Sequence, residues 1–334
     1  MGRHKGAGNV DQWLNPYYLQ IVMFMLINAM LGISIYFTLA TGQLSLGNAG
    51  FMSVGAYTSA LLSLKAGLPL YLSIPAGGVA ACVLAAVIGI PATRLQGIYL
   101  AIATLGFGEV VRVIILNMKV TNGALGLSGI PALSVQIGKQ LNSLGLGSGL
   151  GGITVQQLSN LSVIGLLALV VIFLVFFALR LRHSRLGRAF AAIKDDEHAA
   201  EVTGVDTVRY KLLAFFMSAF VAGIAGALAA HITFYIGPKD FSYHRAVEIL
   251  LFAVLGGGNV IWGPLLGAGI LTLLPELLRT VADYREMIYG GILVIMMIFR
   301  PQGLISEETL RLWRSKLFPA AKTEQEAVAR RSAG

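Results

Sequence analysis

Residues 160–180 read NLSVIGLLALVVIFLVFFALR, and this run decides the fold class. It has no charged side chain before Arg180. A helix needs about 20 such residues to cross the roughly 30 Å hydrocarbon core of a bilayer. The whole chain has the same character, because 56% of its 334 residues are hydrophobic and only 12% are charged. Ordinary globular domains carry about 25% charged residues. The sequence therefore predicts an integral membrane protein.

Other apolar runs of similar length recur along the chain. Six runs, the first included, are uninterrupted: residues 17–40, 70–92, 97–117, 160–180, 212–232 and 284–299. Two further stretches, 42–66 and 246–278, are interrupted by the strings GQLSLGNAGF and LGGGNVIWGP. We therefore expect an all-α polytopic membrane protein with about eight transmembrane or partly spanning helices, two of them broken or re-entrant.

These runs predict one transmembrane domain, residues 17–304, between an N-terminal segment 1–16 and a basic tail 305–334. No short apolar core with a small-residue cleavage site precedes the first run, so no removable signal peptide is predicted. The side of the N-terminal segment depends on residues 42–66. If that stretch crosses the membrane, the segment lies outside; if it is re-entrant, the segment lies inside.

Lysine and arginine are concentrated in two segments beside membrane spans. Fourteen of the 25 lie in residues 180–211 and 300–334, whereas residues 118–158 contain only Lys119 and Lys139. The positive-inside rule then places both basic segments in the cytoplasm and residues 118–158 outside. The hairpin 246–278 has to begin and end outside. The net charge of +9 is thereby explained by a lipid bilayer rather than by nucleic acid.

The two interrupted stretches are the first candidate functional segments. Irregular backbone at membrane depth is tolerated only where protein or a water-filled cavity satisfies its polar groups. We interpret these stretches as lining or hinges of a transport pathway. The alternative is a packing seam of small residues, or a kink that merely fits two helices together. The candidate residues are Gln43, Ser45, Gly47, Asn48, Gly256, Gly257, Gly258 and Asn259.

The loop 180–211 has the signals of a short helix. Asp195 or Asp196 can cap its start, and Gly204 suits the position after its end, which predicts a helix at about 196–203. A helix this short does not persist alone, so it has to pack against something. From composition alone, a solvated loop of mixed charge is the alternative.

The ionisable residues expected at membrane depth are Glu109 and Arg112, with Glu248 and Glu276 nearer the second interrupted stretch. Charges there are costly, which makes a functional role the first hypothesis. Glu109 and Arg112 are three residues apart and would share a helix face, so a structural pair is the alternative.

The chain lacks the common signals of catalysis and cofactor binding. It has no Walker A pattern and no GxSxG, and its GxGxxG at Gly147, Gly149 and Gly152 has no βαβ context. The five histidines and the single cysteine, Cys82, have no metal-ligand spacing. We therefore predict no catalytic residue, no metal site and no cofactor in this chain, and expect its energy to come from a partner or a gradient.

Five strings in a fixed order resemble the permeases of branched-chain amino acid ABC importers, and the LivM-like branch in particular. The likeness runs from about residue 17 to residue 304. The strings are GQLSLGNAGFMSVGAYTSALL, GIYLAIATLGFGEVVR, LGRAFAAIKDDEHAAEVTGVDTVRYKLLAF, VLGGGNVIWGPLLGAGILTLLPELLR and FRPQGL.

The resemblance implies a bacterial inner-membrane permease subunit that takes up branched-chain or similar hydrophobic amino acids by alternating access. Its implied partners are a LivH-like second permease, an extracytoplasmic substrate-binding protein and two cytoplasmic ATPases that bind ATP and Mg²⁺. The loop then resembles the coupling helix that contacts the ATPase. The matching residues are Asp196, Glu197, Ala199, Ala200 and Gly204.

Two alternatives stay open at this stage. The string TNGALGLSGIP after Met118 departs from the family's usual TGGPNGL, which leaves a urea or short-amide cargo as an alternative. An alternative of another class is an ion-coupled secondary transporter with Glu109 and Glu248 as coupling carboxylates. Neighbouring ATPase and binding-protein genes would favour the ABC importer.

Overall fold

A computed structural model describes residues 16–143 and 154–277, together with single positions between 287 and 304. The helices, numbered here in chain order, are α1 Pro16–Leu39, α2 Asn48–Lys65, α3 Leu70–Ala92, α4 Gly97–Asn117, α5 Leu133–Ser143, α6 Val155–Arg182, α7 Arg185–Asp195, α8 Glu197–Val202, α9 Thr207–Thr233, α10 Tyr243–Gly256 and α11 Trp262–Leu277. Short 3₁₀ turns lie at Lys119–Thr121, Gly123–Leu125 and Pro238–Phe241. Two short strands, β1 Leu127–Ser128 and β2 Tyr235–Ile236, pair antiparallel.

Five of the described helices, α1, α3, α4, α6 and α9, are long and apolar enough to cross a membrane. They coincide with five of the six predicted runs, and the sixth, 284–299, lies largely outside the described residues. Two of these helices extend beyond the apolar runs. α6 begins at Val155 because the Thr154 hydroxyl accepts from the Gln157 N–H and the Gln157 side chain accepts from the Thr154 N–H. α9 begins at Thr207 because Asp206 caps it.

The first interrupted stretch contains a continuous helix, α2, of 18 residues. The irregular backbone lies before it, at residues 40–47, rather than within it. The glycines of α2 allow close helix packing instead of breaking the helix. A Cβ atom on Gly50 would lie 3.0 Å from the Gly108 Cα of α4. Small residues at such positions let helix backbones approach within a membrane.

The second interrupted stretch is broken as predicted. α10 ends at Gly256, and Gly257 adopts φ 106° and ψ 103°, a conformation that side chains rarely permit. A Cβ atom on Gly256 would overlap the backbone of Gly263, so the two helices meet backbone to backbone. α10 has 14 residues and α11 has 16. α10 is shorter than the roughly 20 residues of a full span, and α11 is described only as far as Leu277, so the described residues form a helical hairpin broken at Gly257.

The helix bundle has two ends, which we call the basic face and the distal face. The basic face carries α7 and α8, and the distal face carries residues 118–143. At the distal face, Lys65 Nζ at the end of α2 donates to the Val120 carbonyl at 3.2 Å. α2 therefore crosses from one face to the other, and α1 begins at the distal face. This excludes the re-entrant arrangement of residues 42–66.

The hairpin α10–α11 begins and ends at the distal face, as the sequence predicts. β2, shortly before α10, pairs with β1 of the distal loop. At the far end of α11, Glu276 accepts a hydrogen bond from the Tyr17 hydroxyl at the start of α1. The Gly256–Asn259 break consequently lies toward the basic face, where a Cβ atom on Gly258 would meet Leu39 at the end of α1.

The core is built around α9, which packs against α1, α2 and α3. Its buried positions are mostly alanine and glycine. The outward sides of α3, α4 and α6 instead carry large apolar side chains, such as Val87, Ile102 and Phe176, which are 69%, 64% and 63% exposed. Soluble proteins bury most of their large apolar side chains. Large apolar side chains on the outside are expected instead for surfaces that meet lipid tails or another membrane subunit.

Candidate functional site

The predicted short helix is present as α8, on the basic face. Asp196 is its cap, with Oδ1 accepting from the Ala199 N–H at 3.0 Å. Gly204 follows its end with φ +87°, the left-handed conformation expected after a helix. The sequence prediction of the cap, of the helix and of the glycine at its end is confirmed.

A second helix, α7, precedes α8 and was missed by the sequence analysis. Ser184 caps it, with Oγ accepting from the Gly187 N–H at 3.2 Å. Its inward face carries Phe190 and Ile193, which are 2% and 3% exposed. Together with Leu186, these residues have the i, i+4, i+7 spacing of an amphipathic helix, a signal that the basic composition of the loop obscured.

α8 is fastened to the start of α9 by two side-chain contacts. Glu197 forms an ion pair with Lys211, whose side chain is only 4% exposed. One turn further along α8, Glu201 accepts a hydrogen bond from the Thr207 hydroxyl at 2.8 Å. Gln96, just before α4, also donates to Glu197 at 3.2 Å. The short helix is therefore held by the membrane helices rather than by its own stability.

The predicted coupling residues come together in α8 but face different ways. Ala200 is 3% exposed and packs toward the chain's own core, and Glu197 is turned toward Lys211. Ala199 and Val202 are exposed, Val202 at 90%. The outward surface of α8 is therefore not carried by Ala200. It comprises Ala199 and Val202 together with the polar residues His198 and Glu201, which are also exposed.

A half-open cavity of about 220 Å³ lies between α7–α8 and the membrane helices at the basic face. Gln43 lies on its wall, as do Lys194, Glu197 and Lys211. On one side of it, Lys194 Nζ donates to Asn259 Oδ1 at 2.6 Å. The structure thus joins the predicted coupling residues to one predicted pathway residue from each interrupted stretch, Gln43 and Asn259.

Other pathway candidates are buried within the chain's own packing. Asn48 is 1% exposed, donates to Ser34 Oγ at 3.1 Å and accepts from Ser218 Oγ at 3.4 Å. Ser45 is fully buried, and its Oγ accepts from the Gly47 N–H at 3.3 Å. These positions fit the packing-seam interpretation. Ser34 and Ser218, which the sequence analysis missed, are polar residues within long apolar runs.

The predicted pair of Glu109 and Arg112 is present, with Arg112 Nη2 and Glu109 Oε1 2.5 Å apart. Among the described residues, the second oxygen, Glu109 Oε2, is buried without a hydrogen-bond partner. Glu248 is paired with Arg245 at 2.6 Å, and Arg245 also donates to Asn28 at 2.6 Å. Both carboxylates considered for ion coupling therefore have a fixed positive partner.

Within the described ranges, no group of three or more His, Cys, Asp or Glu residues could hold a metal ion. The one histidine at the interior of the bundle, His231, is fully buried and bonded at both ring nitrogens. It contacts Ser59 Oγ at 2.9 Å and the Pro131 carbonyl at 2.8 Å. It ties α9 and α2 to the distal loop.

A polytopic bundle built around α9, with a broken hairpin packed on α1 and a fastened helix pair at the basic face, defines a multi-pass membrane transport component. Residues 17–299 match the family described as branched-chain amino acid transport system, permease component, and the chain belongs to this family. The resemblance seen in the sequence is thereby confirmed. A family member of this kind is a transport subunit and not an enzyme.

Individual relatives agree with this assignment. The chain is 35% identical over 294 residues to the high-affinity branched-chain amino acid transport permease LivM of Salmonella typhimurium, covering 86% of this chain and 68% of the relative. It has the same identity and coverage with LivM of Escherichia coli. It is 29% identical over 140 residues to LivH of Escherichia coli, which covers 41% of this chain and 45% of LivH. No solved structure matches the chain.

Proposed function

We propose that this chain is the LivM-like permease subunit of a bacterial ABC importer for branched-chain or similar hydrophobic amino acids. It acts beside a LivH-like permease, with two ATPases at the basic face and a substrate-binding protein at the distal face. ATP and Mg²⁺ bind to the ATPases, and this chain holds neither. The observation that carries the proposal is the 35% identity to LivM over 86% of the chain.

The orientation follows from charge. The segment between α6 and α9 is rich in arginine, including Arg182, Arg185 and Arg188, whereas the distal loop contains only Lys119 and Lys139 in residues 118–158. Positive residues favour the cytoplasmic side. The basic face is therefore cytoplasmic. Leu304, the last described residue, lies at the same face, because its N–H donates to the Leu255 carbonyl beside the break.

α8 is the docking element for the ATPase. Its outward surface combines the small Ala199 and the apolar Val202 with exposed polar residues, a mixed surface that a groove on a partner can accept. Its inner side is fixed by the Glu197–Lys211 pair, so a force on α8 reaches α9 directly. ATP-driven movement of the ATPases would then rearrange the membrane helices in alternating access.

Branched-chain amino acids are the proposed cargo, because both LivM relatives carry that description in their names. The stretch that departs from the family pattern, residues 121–131, is a series of tight turns at the distal face, with Asn122 and Gly126 at positive φ. This stretch therefore lies where the binding protein is proposed to dock, and not in the interior of the bundle. The transport assay distinguishes branched-chain amino acids from a urea or short-amide cargo.

The test is uptake into proteoliposomes that contain the two permeases and the ATPases, with the binding protein added outside. We expect ATP-dependent accumulation of leucine, isoleucine or valine that requires every component. If only urea or short amides accumulate, these compounds, and not branched-chain amino acids, are the cargo. Concentrative uptake by this chain alone under a proton or sodium gradient would overturn the importer assignment.

A further inference from the structure

The end of α7 touches both interrupted segments of the bundle. Lys194 Nζ donates to Asn259 Oδ1 at 2.6 Å, within the break between α10 and α11. The Cα atom of the same Lys194 lies 3.5 Å from the position that a Cβ atom on Gly42 would occupy. One residue of the segment outside the bilayer is therefore in contact with the irregular backbone before α2 and with the break in the hairpin.

We propose that Asn259 is a positioning residue that transmits movement of α7–α8 to the α10–α11 hairpin through Lys194. The inference rests on the proposed function, because it takes α8 as the element that meets the ATPase. It goes beyond that function by naming the contact through which the movement enters the broken hairpin.

The two attachments of α7–α8 differ in kind. The Glu197–Lys211 pair is partly shielded, with Lys211 4% exposed, and removal of either partner leaves a charge uncompensated. This attachment keeps α8 and α9 together through a transport cycle. The Lys194–Asn259 bond lies between two exposed residues, where water competes for both groups. It can open and re-form, as a contact that changes between two states must.

The hairpin is built to respond as a unit to a pull at Asn259. Gly256 and Gly263 meet backbone to backbone, so α10 and α11 have no space in which to slide independently. Gly303 packs against Gly257 with the same closeness. Because packed backbones shift between discrete arrangements rather than deform gradually, displacement of the break should move both half-helices.

The polar wall of the neighbouring cavity does not indicate a ligand instead. Glu197 is bonded to Lys211 and Gln96, and Asp196 caps α8. The side-chain Oε1 of Gln43 accepts from the Thr41 hydroxyl at 3.2 Å. Each of these groups therefore has a partner within the chain, and Glu197 in particular holds α8 to α9 and to the segment before α4, as expected of a joint.

The experiment measures ATP hydrolysed per leucine taken up by the complete complex in proteoliposomes. Asn259→Ala should leave ATPase copurification and ATP hydrolysis near wild type while uptake falls about fivefold, because one hydrogen bond is lost. Lys194→Met should do the same, and the double variant should be no worse than either single variant. Asn259→Asp keeps an acceptor for Lys194 and should retain uptake within about twofold.

The matched control is Asn117→Ala, an exposed asparagine at the distal end of α4 that bonds only to its own helix in the described contacts. It should leave the ratio unchanged. An unchanged ratio in Asn259→Ala, a parallel fall of hydrolysis and uptake, or loss of assembly would overturn the inference alone. A wild-type complex without ATP-dependent uptake would instead overturn the proposed function.

Discussion

Gly55 of α2 lies directly against Gly223 of α9, so closely that a Cβ atom on Gly55 would overlap the Gly223 carbonyl. A side chain on Gly55 would therefore displace α9, whereas a side chain on Gly223 would meet Ala81 of α3. Glycine is therefore required here by the approach of two backbones rather than by a turn. Gly226 is similarly placed against the Met52 backbone. The pairing of α2 with α9 can therefore be tested with one methyl group, at Gly55 or at Gly226.

Gly55→Ala should destabilise the protein by about 1–3 kcal/mol, because overpacking forces the backbones apart. Gly165→Ala in α6 is the matched control, since nothing lies within 4 Å of its new methyl group. Thermal unfolding in detergent measures the difference. Equal midpoints for the two variants would show that α2 and α9 do not meet at this glycine.

Lys211→Met should lower stability by a few kcal/mol, because it leaves the carboxylate of Glu197 without its partner. Glu197 is 23% exposed, so the loss should fall toward the lower end of the range for buried pairs. Adding Glu197→Gln should recover part of it. The control is Arg209→Gln, whose exposed pair with Asp206 should contribute less than about 1 kcal/mol.

Recovery in the double variant distinguishes charge compensation from packing. If Glu197→Gln with Lys211→Met were as unstable as Lys211→Met alone, the aliphatic part of the lysine, and not its charge, would be what holds α8 to α9.

Val202→Asp should abolish copurification of the ATPases while the permease stays folded, because Val202 is 90% exposed on the outward side of α8. The aspartate would place a charge where the apolar side chain of Val202 meets the partner. Val120→Asp at the distal face, 46% exposed, is the matched control and should copurify normally. Normal association of Val202→Asp would mean that the ATPase meets another surface.

Asn48→Ala should reduce stability by about 1–3 kcal/mol, since Ser34 and Ser218 lose a buried partner. Uptake per folded molecule should stay close to wild type, because Asn48 is packed inside the chain. If Asn48→Ala instead unfolds at the wild-type midpoint but takes up much less substrate, Asn48 lies on the transport pathway.

The orientation can be tested with single cysteines in a Cys82→Ala background. Leu125→Cys, in a distal turn where Leu125 is 79% exposed, should react with an impermeant maleimide applied to intact cells. Val202→Cys should react only after the membrane is opened. The opposite pattern would invert the whole topology and the docking sides with it.

The amino-acid sequence predicts the apolar spans, the broken hairpin and the capped helix α8 well, because length, glycine runs and caps are local signals. It does not predict which polar residue meets which. Asn48 was a pathway candidate by its depth, yet its partners, Ser34 and Ser218, lie on α1 and α9. Whether Ala200 points inward likewise depends on where α9 packs against α8, and the sequence of a six-residue helix does not contain that information.

The distal loop is anchored at several separate points: Lys65 to Val120, His231 to Pro131, and β1 to β2. A protein that docks there meets a preformed surface and loses little conformational entropy in ordering it. If a binding protein docks there as proposed, its capture and release would not have to wait for the described part of this platform to fold. The rate of import would be set at the opposite end of the molecule.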